Sequence, residues 1–133
     1  MPPILSYRDL VVWQRGMQLM INIYRATETF PVTERFGLTA QMRRAALSIP
    51  TNLAEGHTRG GGAYLNHLRI ALGSQAELST EIEAARRLGM LLPGAADTLD
   101  AQLTEVRLML YGLLAALERR RAQSGDTGHT RKS

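Results

Sequence analysis

Residues 99–118, LDAQLTEVRLMLYGLLAALE, decide the fold of this 133-residue chain. Their apolar side chains recur in alternating steps of four and three, which is the heptad spacing of a helix that packs along its whole length against a neighbour. Residues 64–85 follow the same rhythm, with Gln75 as the one clearly polar member. The two seams comprise Leu99, Leu103, Val106, Leu110, Leu113 and Leu117, and Tyr64, Leu68, Ala71, Gln75, Leu78, Ile82 and Ala85.

Four segments carry a helical period, and the breaks between them are rich in glycine or proline. The predicted helices cover about 7–29, 38–55, 63–90 and 95–122, and no segment has the alternation of a strand. Short connections make consecutive long helices antiparallel. The sequence therefore predicts an all-α fold, an antiparallel up-down-up-down four-helix bundle over residues 1–122. Residues 123–133 are polar and contain two glycines, so we expect a disordered basic tail.

Composition and charge narrow the class of protein. The chain has no cysteine, which excludes disulfides and thiolate metal sites, and it has no apolar run long enough to span a membrane. The start lacks the pattern of a signal peptide, so we expect a soluble, cytoplasmic protein. The net charge is +4, but residues 119–133 hold five of the sixteen basic residues and one of the twelve acidic residues. The remaining eleven basic and eleven acidic residues balance, so the excess charge belongs to the carboxyl-terminal end.

Helix 1 is apolar over a wider arc than its own bundle needs. Two stripes together span about 200°, against the roughly 100° with which a helix usually faces its core. We therefore predict a homo-oligomer in which the second stripe forms the subunit interface. The first stripe is Leu10, Trp13, Met17, Met20 and Tyr24. The predicted interface residues are Val12, Leu19, Ile23 and Phe30.

A polar stripe runs through and beyond RRAALSIPTNLAEG, residues 43–56, despite the proline at position 50. On helix 3, Ser74, Glu77 and Glu81 line a second polar stripe. The sequence favours a network that joins the two stripes between helices or between subunits, with Arg44 bonded to a carboxylate; the alternative is that both stripes face water. The predicted network comprises Gln41, Arg44, Ser48, Asn52, Glu55, Glu77 and Glu81.

Catalytic and metal chemistry find little support in the sequence. The Glu-x-x-His pairs with which bundles hold two metal ions are absent, and no base lies near Ser48 in the sequence. His57 and His67 are interpreted as loop or surface histidines, and GHTRGGG as a flexible helix connection without the motif of a phosphate loop. We therefore predict a protein that is not an enzyme and has neither a metal nor another cofactor.

Nucleic-acid binding and a protein–protein scaffold stay open as alternative functions. Binding to RNA or DNA requires several cations that neutralise phosphates together, and fifteen of the sixteen basic residues are arginine. The alternative for these arginines is a solvated face with intrahelical pairs such as Glu83 with Arg87. The candidate contacts are Arg43, Arg59, Arg69, Arg86, Arg87, Arg119, Arg120 and Arg121.

Three motifs together resemble the four-helix proteins encoded in intervening sequences of 23S rRNA genes, a family related to the accessory proteins of diversity-generating retroelements. They are DLVVWQRGMQLMINIYRAT, FPVTERFGLTAQMRRAALSIPTNLAEG and IALGSQAELSTEIEAARRLGML. The resemblance implies an antiparallel four-helix bundle that assembles as a ring-shaped pentamer, with a role toward nucleic acid. The connection HTRGGGAYLNHL departs from the family pattern, in which polar residues and an aromatic are more common.

Overall fold

The computed structural model describes the backbone of residues 4–132 and the side chains of residues 4–124. Its four helices are α1 (Val11–Thr27), α2 (Leu38–Arg59), α3 (Gly61–Arg87) and α4 (Pro93–Lys132), with short 3₁₀ turns at Tyr7–Asp9 and Val32–Glu34. Neighbouring helices pack in the order α1–α2–α3–α4, and α4 returns to α1. In the described part of the chain there is no strand. The predicted all-α, up-down-up-down bundle is confirmed.

The first helix begins later than predicted because a capped turn precedes it. The Ser6 hydroxyl accepts a hydrogen bond from the Arg8 amide, and the Asp9 carboxylate accepts one from the Ser6 amide. Leu10 is then extended, with ψ of 124°, which separates this turn from α1. The reciprocal bonds of Ser6 and Asp9 are a capping box, which satisfies amides that have no partner at the start of a turn.

The connection between α2 and α3 is one residue, Gly60. Its φ of +71°, followed by +56° at Gly61, lies in the left-handed region that glycine adopts without strain. Both helices therefore run directly into the turn, so α2 ends at Arg59 rather than near 55 and α3 starts at Gly61 rather than near 63. This corrects the interpretation of GHTRGGG as a flexible connection, since most of that stretch is helical.

The core lies between all four helices and consists of aliphatic side chains. Leu19 and Ile23 of α1 meet Met42 and Ile49 of α2 and the heptad residues of α3 and α4. Pro50 does not end α2; the helix continues through it and the proline ring is buried. Burial of the apolar stripes supplies the main stabilisation of such a bundle.

Helices α2 and α3 approach each other closely at Gly56 of α2. A Cβ at this position would lie 2.9 Å from both Tyr64 Cδ1 and His67 Cβ of α3. The contact between α2 and α3 is the most extensive of the bundle. The short connection and the small residue at the crossing therefore bring the polar stripes of these two helices into contact.

The fourth helix extends to Lys132, beyond the predicted end near residue 122. The predicted disordered basic tail covers residues 123–133. Apart from the first two residues, its side chains lie outside the described residues, so it stays a prediction. None of the helices, as far as the chain is described, is long and apolar enough to cross a membrane.

Candidate functional sites: a polar seam and a basic end

The polar stripes of α2 and α3 meet in one seam within a single chain. Ser74 Oγ donates a hydrogen bond to Ser48 Oγ at 2.8 Å, which joins the two helices. Asn52 Nδ2 donates to Ser48 Oγ at 3.0 Å and to the Ser48 carbonyl at 2.9 Å. Ser48 and Asn52 therefore do belong to an interhelical network, as the sequence predicted, and its partner on α3 is Ser74.

His67 extends this network and is buried, with 7% of its surface exposed. Its Nδ1 lies 2.9 Å from Asn52 Oδ1 and its Nε2 lies 3.0 Å from an Arg59 guanidinium nitrogen. Since arginine can only donate, Nε2 accepts and Nδ1–H donates, which identifies the neutral Nδ1–H tautomer. The Glu55 carboxylate lies 3.8 Å from Nδ1. The prediction of a loop or surface residue was therefore wrong for His67.

The sequence does contain a spacing that places His67 on the polar face of α3. His67, Ser74 and Glu81 recur every seven residues on α3, so they share one face of that helix. Gln41, Ser48 and Glu55 have the same spacing on α2. We call these facing residues, together with Arg44, Asn52, Arg59 and Glu77, the α2–α3 polar seam.

The end of the seam near Glu81 is acidic. Oxygen Oε1 of Glu81 is buried and has no hydrogen-bond donor among the described residues. Burial is the largest cause that raises the pKa of Glu81 to about 7; the charge of Glu77 raises it further, while Arg44 lowers it. Glu81 therefore holds a proton more tightly than an isolated, exposed carboxyl group would.

Arg44 lies at this acidic end but forms no ion pair within the described part of the chain. Its guanidinium donates a hydrogen bond to Gln41, and its side chain is exposed. It affects Glu81 through its charge. The predicted charge-assisted bond of Arg44 to Glu55, Glu77 or Glu81 is thus not formed among the described side chains, where Arg44 is bonded to Gln41.

Five of the eight candidate nucleic-acid arginines are already held by acceptors in the chain. Arg86 bonds Asp97 at 2.9 Å, Asp100 at 2.6 Å and Glu83 at 3.2 Å, and Arg87 bonds Glu83 at 2.8 Å. The other three are bonded as follows: Arg43 to Thr27 and to the Tyr24 carbonyl, with its guanidinium over the Tyr24 ring, Arg59 to His67, and Arg69 to Glu118 at 3.9 Å.

The remaining candidates, Arg119, Arg120 and Arg121, form a basic cluster in the carboxyl-terminal half of α4, beside the start of α3. All three are exposed, and none has an ion pair or hydrogen bond in residues 4–124. The Arg121 guanidinium lies 3.1 Å from where a Cβ of Gly62 would be, so it packs on the first turn of α3. A cavity of about 350 Å³ lies beside it, lined by Gly62, Leu65, Arg69, Glu118, Arg121 and Ala122.

The predicted subunit interface on α1 requires correction. Val12, Leu19, Ile23 and Phe30 are 6%, 1%, 0% and 7% exposed and belong to the core of a single chain. Side chains buried in one chain have no surface to offer to a second. The other stripe is the more exposed one: Trp13, Met17 and Met20 are half-buried and Tyr24 is exposed.

The exposed stripe borders an apolar groove between α1 and α2. Trp13 and Met17 line it together with Leu47, which is 44% exposed. We call Trp13, Met17 and Leu47, with Tyr7, Pro50 and Ala54, the α1–α2 groove.

As for metals, residues 4–124 contain no group of three or more His, Cys, Asp or Glu side chains arranged to hold an ion.

Comparisons with known proteins agree with this fold. The chain is similar over 79% of its length to a solved protein of unknown function from the S23 ribosomal protein family of Bacteroides thetaiotaomicron, of which it covers 96%, with a TM-score of 0.73 and 20% identity. No curated protein matches the chain. The family model described as 23S rRNA-intervening sequence protein matches residues 8–112. Since that match covers most of the sequence, the chain belongs to the 23S rRNA-intervening sequence protein family.

Proposed function

We propose that the protein is a non-enzymatic oligomer that binds RNA or DNA phosphates through the basic cluster Arg119, Arg120 and Arg121. The observation that carries the proposal is the contrast among its arginines. Five candidates already have acceptors within the chain, whereas these three are exposed and without a bonded partner in the described residues. Arginine forks suit phosphate groups, and the affinity of such contacts comes from the release of counterions.

The start of α3 supports an anion at this end. The first amide groups of a helix carry a partial positive charge and have no acceptor within the helix. Gly60 provides no side-chain cap for α3, and Arg121 packs beside Gly62. Cations and helix amides are therefore gathered here, and the acidic residue that lines the neighbouring cavity, Glu118, is paired with Arg69.

Self-assembly multiplies this small patch. We propose that the α1–α2 groove forms the contact between subunits, because Trp13, Met17 and Leu47 leave apolar surface uncovered in a single chain. In a closed ring, such as the pentamer that the family resemblance implies, each subunit adds one basic cluster to the same rim.

The test compares two triple variants of equal charge. Arg119, Arg120 and Arg121 are changed to Gln in one variant, and the exposed Arg8, Arg25 and Arg35 in the control. Affinity for labelled RNA and DNA is measured by fluorescence anisotropy over a range of salt. For single strands, each phosphate that is no longer neutralised should lower the slope of log affinity against log salt by about 0.7. Equal decreases in affinity for both variants would contradict a specific role for the basic cluster.

A protein scaffold is the second candidate, and one observation favours it. Val32 and Phe36 in the α1–α2 connection, and Leu88 and Leu92 in the α3–α4 connection, are 64–86% exposed. Up-down topology places both connections at the end of the bundle opposite Gly60. If neither RNA nor DNA binds in the anisotropy assay, this apolar end becomes the better guide to function.

A further inference from the structure

Gln75 is the one clearly polar residue in the apolar seam of α3. Phosphate binding by the basic cluster does not explain why a polar side chain lies there. The residue is 8% exposed, yet its carboxamide takes part in no hydrogen bond within residues 4–124. Among the described residues, the enclosed polar side-chain atoms that lack a partner are those of Tyr64 and Glu81, so the Gln75 amide is open to solvent and can be satisfied by water or by a ligand. Gln75 lines a groove, and the amide of this otherwise buried residue is therefore accessible from that groove.

This α3–α4 groove has a volume of about 370 Å³ and runs between the two helices. Gln75 and Leu103 belong to its buried part, and Ser79 and Thr104 add hydroxyl groups along its length. The volume lies in the range of small-molecule sites, which combine a few fixed polar groups with apolar walls. The groove can therefore hold a small polar molecule in contact with the Gln75 amide.

The two ends of the groove differ in charge. Arg107 lies at the end near Gln75, and its guanidinium forms no ion pair or hydrogen bond within the described side chains. Glu83 and Asp100 lie at the other end. Asp100 bonds Arg86 through Oδ2 only, which leaves Oδ1 free to accept a hydrogen bond. Along α4, Asp100 and Arg107 are seven residues apart, or about 10 Å of helix.

The acidic end keeps its negative charge. Hydrogen bonds from Arg87 are the largest cause that lowers the pKa of Glu83, so this carboxylate stays ionised at neutral pH. Arg86 and Arg87 are bonded to Glu83, whereas Oδ1 of Asp100 has no bonded partner among the described residues. A polyanion such as nucleic acid would meet carboxylates along half of this groove, which disfavours it as the occupant.

We infer that the α3–α4 groove binds a small zwitterion, with its carboxylate on Arg107, its ammonium group on Asp100 and Glu83, and its middle beside Gln75. An amino acid whose two charged groups are separated by several methylene groups has this chemistry. A guanidinium binds a carboxylate through two parallel hydrogen bonds, and the methylene groups would cover Leu103. This site is separate from the basic cluster, so the inference does not depend on the proposed nucleic-acid function.

The experiment uses ε-aminocaproate as the probe and the full-length protein. Binding is measured by calorimetry and by the shift of the Gln75 side-chain amide resonances in nuclear magnetic resonance spectra. Hexanoate and hexylamine each carry one of the two charges and serve as matched ligands. We expect the zwitterion to bind about ten- to a hundredfold more tightly than either, because each charged group adds its own hydrogen bonds.

Two variants locate the site. Gln75→Leu restores an apolar heptad residue and should fold, and Arg107→Gln removes the cation from a partly exposed position. Each should weaken ε-aminocaproate binding about tenfold or more, while Arg25→Gln, on an exposed part of α1, should leave it unchanged. The inference is overturned if ε-aminocaproate does not bind at millimolar concentration, if hexanoate binds as tightly, or if neither groove variant weakens binding.

Discussion

His67 and Asn52 form a hydrogen bond of 2.9 Å across the helix pair α2–α3, in which the imidazole donates and the side-chain carbonyl accepts. Arg59 donates a hydrogen bond to the other ring nitrogen of His67, and the amide nitrogen of Asn52 donates one to the Ser48 hydroxyl. One buried histidine is thus fixed in one tautomer by two residues of the facing helix. Asn52 is the central member, because it is bonded on both sides.

Removal of the Asn52 side chain should therefore leave several groups without partners. We expect Asn52→Ala to lower the free energy of unfolding by about 1–3 kcal/mol, since it strands the His67 donor in a buried position. The neighbouring exposed Thr51 is the control, and Thr51→Ala should change the free energy of unfolding by less than about 0.5 kcal/mol. Denaturant titrations with equal m-values measure both. Similar small effects would mean that water replaces the missing hydrogen bonds.

The helix crossing at Gly56 provides a second prediction. A Cβ there would lie 2.9 Å from atoms of Tyr64 and His67, so Gly56→Ala must push α3 away. Such overpacking costs about 1–3 kcal/mol. Gly73→Ala is the matched control, because nothing lies within 4 Å of its Cβ position, and it should stabilise α3 by roughly 0.5–1 kcal/mol. Melting temperatures that move in the same direction would contradict this account.

The acidic end of the seam predicts how stability depends on pH. The pKa of Glu81 is raised from 4.5 to about 7 by folding, chiefly through burial. Between these two values the folded state holds a proton that the unfolded state has released, so stability falls as the pH rises from about 4.5 to 7 and then levels off. Allowing for solvent screening, we expect a fall on the order of 1 kcal/mol.

A neutral variant checks the sign of this effect. Glu81→Gln should flatten the stability profile between pH 4.5 and 7 and should be more stable than the parent above pH 7. Glu28→Gln, on an exposed residue near the end of α1, serves as the control and should keep the parental profile. A parental fall that persists in Glu81→Gln would assign the titration to another group.

The stripe of α1 that the sequence assigned to the subunit interface is core, and the other stripe is the more exposed one. Charged substitutions in the two stripes should therefore have different effects. Leu19→Glu with Ile23→Glu should unfold the chain, because both residues are core. Met17→Glu with Leu47→Glu should keep the helical circular dichroism but reduce the native mass, because both residues line the α1–α2 groove. Light scattering and circular dichroism measure the two properties together. An unchanged mass in the second variant would exclude the groove as the subunit contact.

The hydrophobic pattern alone was enough to predict the helices and their antiparallel order. It could not choose between the stripes of α1, because both are apolar and the choice depends on how far the helix is rotated toward α2 and α4. Heptad spacing did indicate the facing residues Ser48 and Ser74. The sequence pattern could not predict the partners of the arginines, since Arg86 meets Asp97 and Asp100 only after the chain has turned from α3 into α4.

Gly60, as the entire connection between α2 and α3, also has a consequence for the order of folding. The entropy cost of closing a loop is smallest for the shortest loop, and contacts between residues near in sequence form fastest. The helix pair with the most extensive contact is therefore also the pair that can meet first. We expect the α2–α3 hairpin to be the folding nucleus, on which α1 and α4 dock later. Substitutions at the Gly56 crossing would then slow refolding, whereas substitutions on the outer helices would mainly accelerate unfolding.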